Sequence, residues 1–203
     1  MASNPKTFLT EEEYLAFERK SDTKHEYFRG EIYAMTGARR AHQQIAGNLV
    51  ISLGSQLRTR KCSVYPTDLR VGIPSTSLYA YPDVVVTCGE EKFLDGEFDT
   101  LLNPILLVEV LSDSTAAYDR NEKFENYRTI DALREYLLVS QREIRLEHFV
   151  RQTDDSWLYT DTKSADGVVR LPSIDCELKM IDVYDKVAFE ERSPGGFMRE
   201  HLR

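Results

Sequence analysis

Glu109 stands in the middle of Ile105-Leu106-Leu107-Val108-Glu109-Val110-Leu111, an apolar run that reads as a fully buried strand. An ionised carboxylate buried without a partner is strongly destabilising, so Glu109 must face a cation, a polar cleft or hydrogen-bond donors. Asp83 opens a second apolar run, Pro82-Asp83-Val84-Val85-Val86. Lys123 lies in a helical stretch downstream, on the i, i+4, i+7 face it shares with Tyr127 and Ile130. Two carboxylates from neighbouring strands can aim at one point, where their repulsion raises a pKa unless a divalent cation removes it. Hard oxygen donors suit Mg²⁺, which keeps several waters and leaves room for a substrate phosphate. An ammonium at the same point would orient an attacking water and stabilise charge on a pentacovalent phosphate, as phosphodiester hydrolysis requires.

Each residue also has a purely structural reading. Glu109 could be a buried acid paired to Arg70 or Arg134, Asp83 a turn residue after Pro82, and Lys123 a helix residue that snorkels to water. The three together, in this order, favour a metal site over the separate explanations. Asp68 is a secondary candidate, with pairing to Arg70 the simpler account, and His42 approaches from the first turn of its helix, where histidine is more often structural. A two-carboxylate glycosidase built on Asp83 and Glu109 would explain neither Lys123 nor the apolar strand.

The elements that must position these groups follow from periodicity. Thr10-Glu11-Glu12-Glu13 is a capping box that opens a helix to about residue 17. Residues 25–28 and 31–35 flank Arg29-Gly30 as a hairpin. Ile45, Leu49, Leu53 and Leu57, with Ala46 and Val50, give an amphipathic helix over 41–60. Strands are expected at 63–65, 69–73 and 81–87, followed by an acidic loop over 89–99 and the Glu109 strand. Asp119 and Glu122 read as a capping pair for a helix over 120–130. Strands over 135–139 and 143–150 turn near Gln141, weaker ones lie at 157–159 and 168–171, and a last helix spans 180–189. Ser193-Pro194-Gly195-Gly196 marks the start of a tail.

At 203 residues, 41% hydrophobic and 30% charged, the chain has the make-up of one ordered domain. No apolar run reaches a membrane span and the N-terminus lacks a signal core, so a cytoplasmic location with no membrane partner is expected. Cys62, Cys88 and Cys176 are widely spaced and odd in number, which reads as three free thiols in a reducing compartment. The four histidines show no metal-binding spacing, so a metal would take oxygen ligands. A net charge of −8 argues against coating nucleic acid by bulk electrostatics. Candidates for a local basic face are Arg39-Arg40, Arg58-Thr59-Arg60-Lys61 and Arg142, Arg145 and Arg151, although each such group is more often simply a solvated surface.

Pro82-Asp83, the block Glu109-Val110-Leu111-Ser112-Asp113-Ser114-Thr115, Tyr118-Asp119-Arg120 with Lys123 and Tyr127, and Glu135-Tyr136-Leu137-Leu138-Val139 together resemble the Uma-type (Uma two) family of bacterial endonucleases, in the PD-(D/E)xK nuclease superfamily. Glu26, Gly30-Glu31, Met35 and His42 fit that family's usual opening, so the resemblance spans residues 8–189. It implies an α/β (α+β) fold with a restriction-endonuclease-like core: a mixed central β-sheet flanked by helices, a single domain over 1–192, and a C-terminal tail over 193–203. It also implies that Asp83 and Glu109 are the metal carboxylates, that the Val110 carbonyl is a third ligand, that Mg²⁺ or Mn²⁺ is the cofactor and that DNA is the substrate. One departure stands out. The lysine of the simplest superfamily pattern would fall at Leu111, and Lys123 looks like its migrated replacement from the following helix. Cutting both strands of a duplex asks for paired sites, so a homodimer is expected. The acidic charge and the missing lysine at 111 leave a second expectation, a non-catalytic dimeric binding or regulatory module on the same fold.

Overall fold

A computed structural model describes residues 8–35, 37–113 and 115–189. Helix α1 (Glu11–Glu18) starts on the expected capping box, with the Thr10 hydroxyl accepting from the Glu13 amide and the Glu13 carboxylate accepting from the Thr10 amide. Strands β1 (His25–Phe28) and β2 (Glu31–Ala34) form the hairpin. Its turn residues Arg29 and Gly30 both have positive φ, 48° and 95°, which matches the right-handed twist of the strands. Helix α2 (Arg40–Leu57) buries Ile45, Ala46, Leu49, Leu53 and Leu57, the face its periodicity marks out.

Strands β3 (Cys62–Pro66), β4 (Arg70–Ile73), β5 (Leu78–Ala80), β6 (Val84–Cys88), β7 (Thr100–Leu101) and β8 (Leu106–Leu111) follow. The single strand expected over 81–87 is a correction. Pro82 has no N–H for a ladder, and the chain passes there from β5 in one sheet to β6 in another. The helix expected over 120–130 is α3 (Ala116–Tyr118), a π turn (Asp119–Lys123) and α4 (Phe124–Tyr127). Asp119 therefore caps nothing; it is buried inside the helical run. After it come β9 (Glu135–Ser140), β10 (Leu146–Arg151), β11 (Trp157–Thr162), the hairpin β12 (Val168–Leu171) and β13 (Cys176–Lys179), and the one-turn helix α5 (Met180–Val183). The last helix is thus shorter than the sequence suggests, and the tail from Ser193 lies outside the described residues.

The main sheet has the order β11-β10-β9-β8-β6-β3 and is mixed, with β8 parallel to β9 and antiparallel to β6. A second sheet runs β2-β1-β5-β4-β7. On one face of the main sheet Val84, Val86, Val108 and Val110 pack against α2 and the β12–β13 hairpin. On the other, Val85, Leu107, Leu111 and Leu138 pack against Phe124, Tyr127 and the second sheet's Val71, Ile73, Leu78 and Ala80. This is the mixed α+β architecture with a central sheet that the sequence called for.

The cysteine reading needs correcting. Cys62 and Cys88 face each other in the β3–β6 register and form a disulfide, and only Cys176, which is buried, is a free thiol. Widely spaced cysteines carry no sign of this, because the pairing depends on a strand register that sequence spacing does not encode.

Candidate active site

Val84 lies opposite Val108, so one step further along the same antiparallel register places Asp83 opposite Glu109, just past the paired segment. Strand alternation sends the Glu109 side chain to the face away from the apolar side of α2, between the two sheets and beside the π turn, and Asp83, just before β6, lies between that pocket and the first turn of α2. There Asp83, Glu109 and Lys123 are all nearly closed off from solvent, at 8%, 5% and 4% exposed.

Lys123 is the hub. Its Nζ donates to Glu26 Oε1 at 2.8 Å and forms an ion pair with Glu109 Oε1 at 2.9 Å, and Asp119 Oδ1 lies 3.7 Å away. The wider π turn brings both Asp119 and Lys123 to the buried side of the helical run while Asn121 and Glu122 stay exposed. Tyr127, one turn on, donates its hydroxyl to Glu109 Oε1 at 2.9 Å. Glu26 comes from β1 in the second sheet and also accepts the Tyr81 amide at 3.3 Å. Asp83 is held differently: Oδ2 accepts the Val110 amide at 2.7 Å, and Oδ1 lies 2.7 Å from His42 Nε2 in the first turn of α2.

Burial holds the Glu109 carboxyl well above the ordinary carboxylate range; Lys123 pulls it down, and Asp119, Asp83 and Glu26 add repulsion that pushes it up. Burial likewise raises Asp119, against the pull of Lys123. Burial opposes the charge on Lys123, yet Glu109, Glu26 and Asp119 outweigh it and lift its pKa well above the usual ammonium value. Burial and Glu109 also raise Tyr127, which keeps its hydroxyl a donor. These shifts have one meaning: a pocket holding Glu26, Asp83, Glu109 and Asp119 against Lys123 and His42 is richer in acids than in bases, and it retains positive charge.

Among the described residues, no three His, Cys, Asp or Glu side chains stand together as a ready-made metal cluster. The donor set nonetheless fits a hard divalent cation. Asp83 and Glu109 present carboxylate oxygens from opposed positions of β6 and β8, the charge excess is negative, and both contacts of Glu109 fall on Oε1.

The family model described as "Putative restriction endonuclease", Uma2, matches residues 11–182. The chain belongs to the Uma2 family. Two relatives from Synechocystis sp. (strain ATCC 27184 / PCC 6803 / Kazusa) accompany it. "Uncharacterized protein sll1609" is 40% identical over 153 residues, covering 75% of this chain and 86% of that protein. "Uncharacterized protein slr1290" is 37% identical over 187 residues, covering 92% and 97%. A crystal structure described as "a putative nuclease belonging to DUF820" from Anabaena variabilis ATCC 29413 superimposes with a TM-score of 0.71 at 16% identity, covering 87% of this chain and 97% of that one. That likeness establishes a shared fold.

In this Uma2 chain the fold brings Glu109 and Lys123 into direct contact and sets Asp83 on the strand position opposite Glu109. Val110 meets the site through its N–H, which Asp83 accepts. Neither arginine partner considered for Glu109 is used: Arg70 serves Thr100, Tyr81 and Asp99, and Arg134 bonds the carbonyls of Asp131 and Leu133. Asp68 pairs with Lys24 rather than Arg70. His42, read as structural, reaches the acids. Glu26 and Asp119 are the residues that local reasoning missed. The i, i+4 spacing of Asp119 and Lys123 was a usable signal, whereas Glu26 arrives from a separate sheet, so no local spacing marks it and only its fit to the family's opening singled it out.

Proposed function

We propose that this protein is a Mg²⁺- or Mn²⁺-dependent endonuclease that hydrolyses DNA phosphodiester bonds, with Asp83, Glu109 and Lys123 at its centre. The observation that carries the reading is the acid-rich cluster around one buried lysine, on a chain of the Uma2 family. Asp83 and Glu109, with the Val110 carbonyl, would hold the cation; when bound it supplies Lewis-acid polarisation of the phosphate and a more acidic water. Lys123 holds a positive charge beside Glu109, where it can orient the attacking water and meet charge developing on phosphate oxygens. Tyr127 fixes the Glu109 carboxylate, while His42 and the Val110 amide fix that of Asp83. Glu26 and Asp119 keep Lys123 protonated and aimed. Scission of both strands needs two such sites, so the working assembly is a homodimer.

The test is nicking of supercoiled plasmid by purified protein with Mg²⁺ or Mn²⁺, beside Asp83→Asn, Glu109→Gln and Lys123→Ala. Cleavage lost in all three supports the reading; cleavage that survives all three rejects the site.

One observation favours a second reading, a non-catalytic dimeric binding or regulatory module. Both Asp83 oxygens and Glu109 Oε1 already have partners within the chain. Calorimetric titration with Mn²⁺ separates the two, because a catalytic site binds the ion through Glu109 and a purely structural cluster leaves the heat unchanged by Glu109→Gln.

A further inference from the structure

Next to the acids, at the carboxyl ends of the parallel strands β8 and β9, lies a trough. Its wider part, about 280 Å³, is lined by Leu111, Ser112, Asp113, Arg120, Ser140 and Arg142. Through Arg142 it adjoins a recess of about 10 Å³, bounded by Arg39, Ala41 and Gln141, that opens at the first turn of α2. We propose that this trough binds a backbone phosphate of the nucleic acid, neighbouring the phosphate that is cut. The identity of the polymer rests on the endonuclease reading; the anion site rests on the four observations that follow.

Among the described residues, no side chain caps the start of α2: the Arg39 side chain at the N-cap carries no acceptor and the first turn has no carboxylate, so the positive end of an 18-residue helix faces the recess. Gln141 gives the independent sign of a ligand. It is 5% exposed, borders the recess, and its side-chain oxygen has no hydrogen-bond partner among the described residues. A carboxamide is nearly symmetric in shape, so Gln141 can turn its NH₂ end toward an anion and end this mismatch. Arg142 supplies a planar fork. It is engaged with Asp113 in a pair whose side chains are 32% and 60% exposed, a solvated contact that a phosphate can replace with equal geometry and more charge. Finally, the carboxyl edge of parallel strands is where open α/β sheets generally take their ligands. His42, on the same turn of α2, touches Asp83, so the recess and the acids are one helical turn apart.

The experiment is fluorescence anisotropy of a labelled DNA duplex of about two helical turns, with EDTA present so that nothing is cut, over a range of salt. Wild type is compared with Arg39→Gln, Arg142→Gln and Gln141→Glu, with circular dichroism as the check on folding. The expected result is about tenfold weaker binding at low salt for each arginine variant, with the slope of log K against log salt reduced by about 0.9. The surface arginine variants carry the test if Gln141→Glu fails to fold. Wild-type affinity and slope in both arginine variants would overturn the trough, as would wild-type protein that binds no duplex, or duplex displaced by an equal concentration of inorganic phosphate. Glu109→Gln separates this from the catalytic reading. It should bind duplex at least as tightly as wild type while losing cleavage with Mn²⁺. Weakened arginine variants alongside a wild type that never cleaves would uphold the trough and sink only the hydrolysis.

Discussion

A single lysine decides how the buried acids behave. Lys123 compensates Glu109 and Glu26 directly and Asp119 at slightly longer range, so Lys123→Met should cost about 3–5 kcal/mol by leaving buried carboxylates without a cation. The loss should depend on pH in a definite direction. Glu109 and Asp119 have folded-state pKa values above the ordinary carboxylate range, and such groups favour the native state at low pH and lose that contribution as pH rises through the raised value. Without Lys123 these values rise further, so urea melts of Lys123→Met should show the deficit at pH 7 and a smaller one at pH 4. A deficit that grows on acidification would contradict the charge assignment. At this scale the sequence was informative where a residue clashed with its surroundings. Glu109 in an apolar strand and Lys123 on an apolar helix face announced themselves. Asp119 did not, because a helical acid three residues before a glutamate has an ordinary explanation as a cap, which outweighed its i, i+4 spacing from Lys123.

The elements explain why those residues meet. The β6–β8 register and the β8–β9 parallel pairing fix the acids, while α2 delivers His42 and the π turn delivers Lys123. Two supports of this frame can be tested. The Cys62–Cys88 disulfide clips the edge strand β3 to β6 across a sequence separation of 26. Reduction should lower stability by about 2–4 kcal/mol, as read by urea midpoints with and without dithiothreitol, and Cys62→Ser/Cys88→Ser should lose this response. Glu135, fully buried on β9, accepts the Ser173 amide at 2.7 Å and lies 2.6 Å from His148 Nε2, tying the β12–β13 hairpin to the main sheet. Glu135→Ala should destabilise by about 2–4 kcal/mol, because His148 is left buried and unpaired and the partly buried Ser173 amide loses its acceptor. Long periodic elements such as α2, and the apolar strands β6 and β8, were legible from hydrophobic pattern. The two-residue β7, and β13 after a left-handed Asp175, were not, since segments so short are defined by their partners. The break at Pro82 was open to view, but which sheet each half joins is a tertiary choice.

For the whole molecule, a family match over residues 11–182 and a neighbour at a TM-score of 0.71 agree with the architecture that composition and element order suggested. What the sequence could not convey was the second sheet folding over the first, which supplies Glu26 and encloses the cluster. That closure is braced by charge. Arg19 from the end of α1 holds Asp95 and Asp99, and Arg70 Nη2 lies 3.0 Å from Asp99 as an ion pair without hydrogen-bond alignment. Burial pushes Asp99 up, but the Arg19 and Thr100 hydrogen bonds and the arginine charges more than offset it, taking its pKa down to about 2. A depressed carboxylate stabilises the fold above its unfolded pKa and loses that contribution as pH falls toward the folded value. Stability should therefore drop between about pH 4 and pH 2, and Asp99→Asn should flatten that segment of the urea-midpoint profile.

The claim on which the rest turns is that the acid cluster exists to hold a divalent cation. The most direct measurement is an anomalous difference map from a crystal soaked in Mn²⁺. The account predicts one strong peak between the carboxylates of Asp83 and Glu109, absent in Glu109→Gln. A fully soaked crystal with manganese elsewhere, and Lys123 still closed on Glu109, would contradict it.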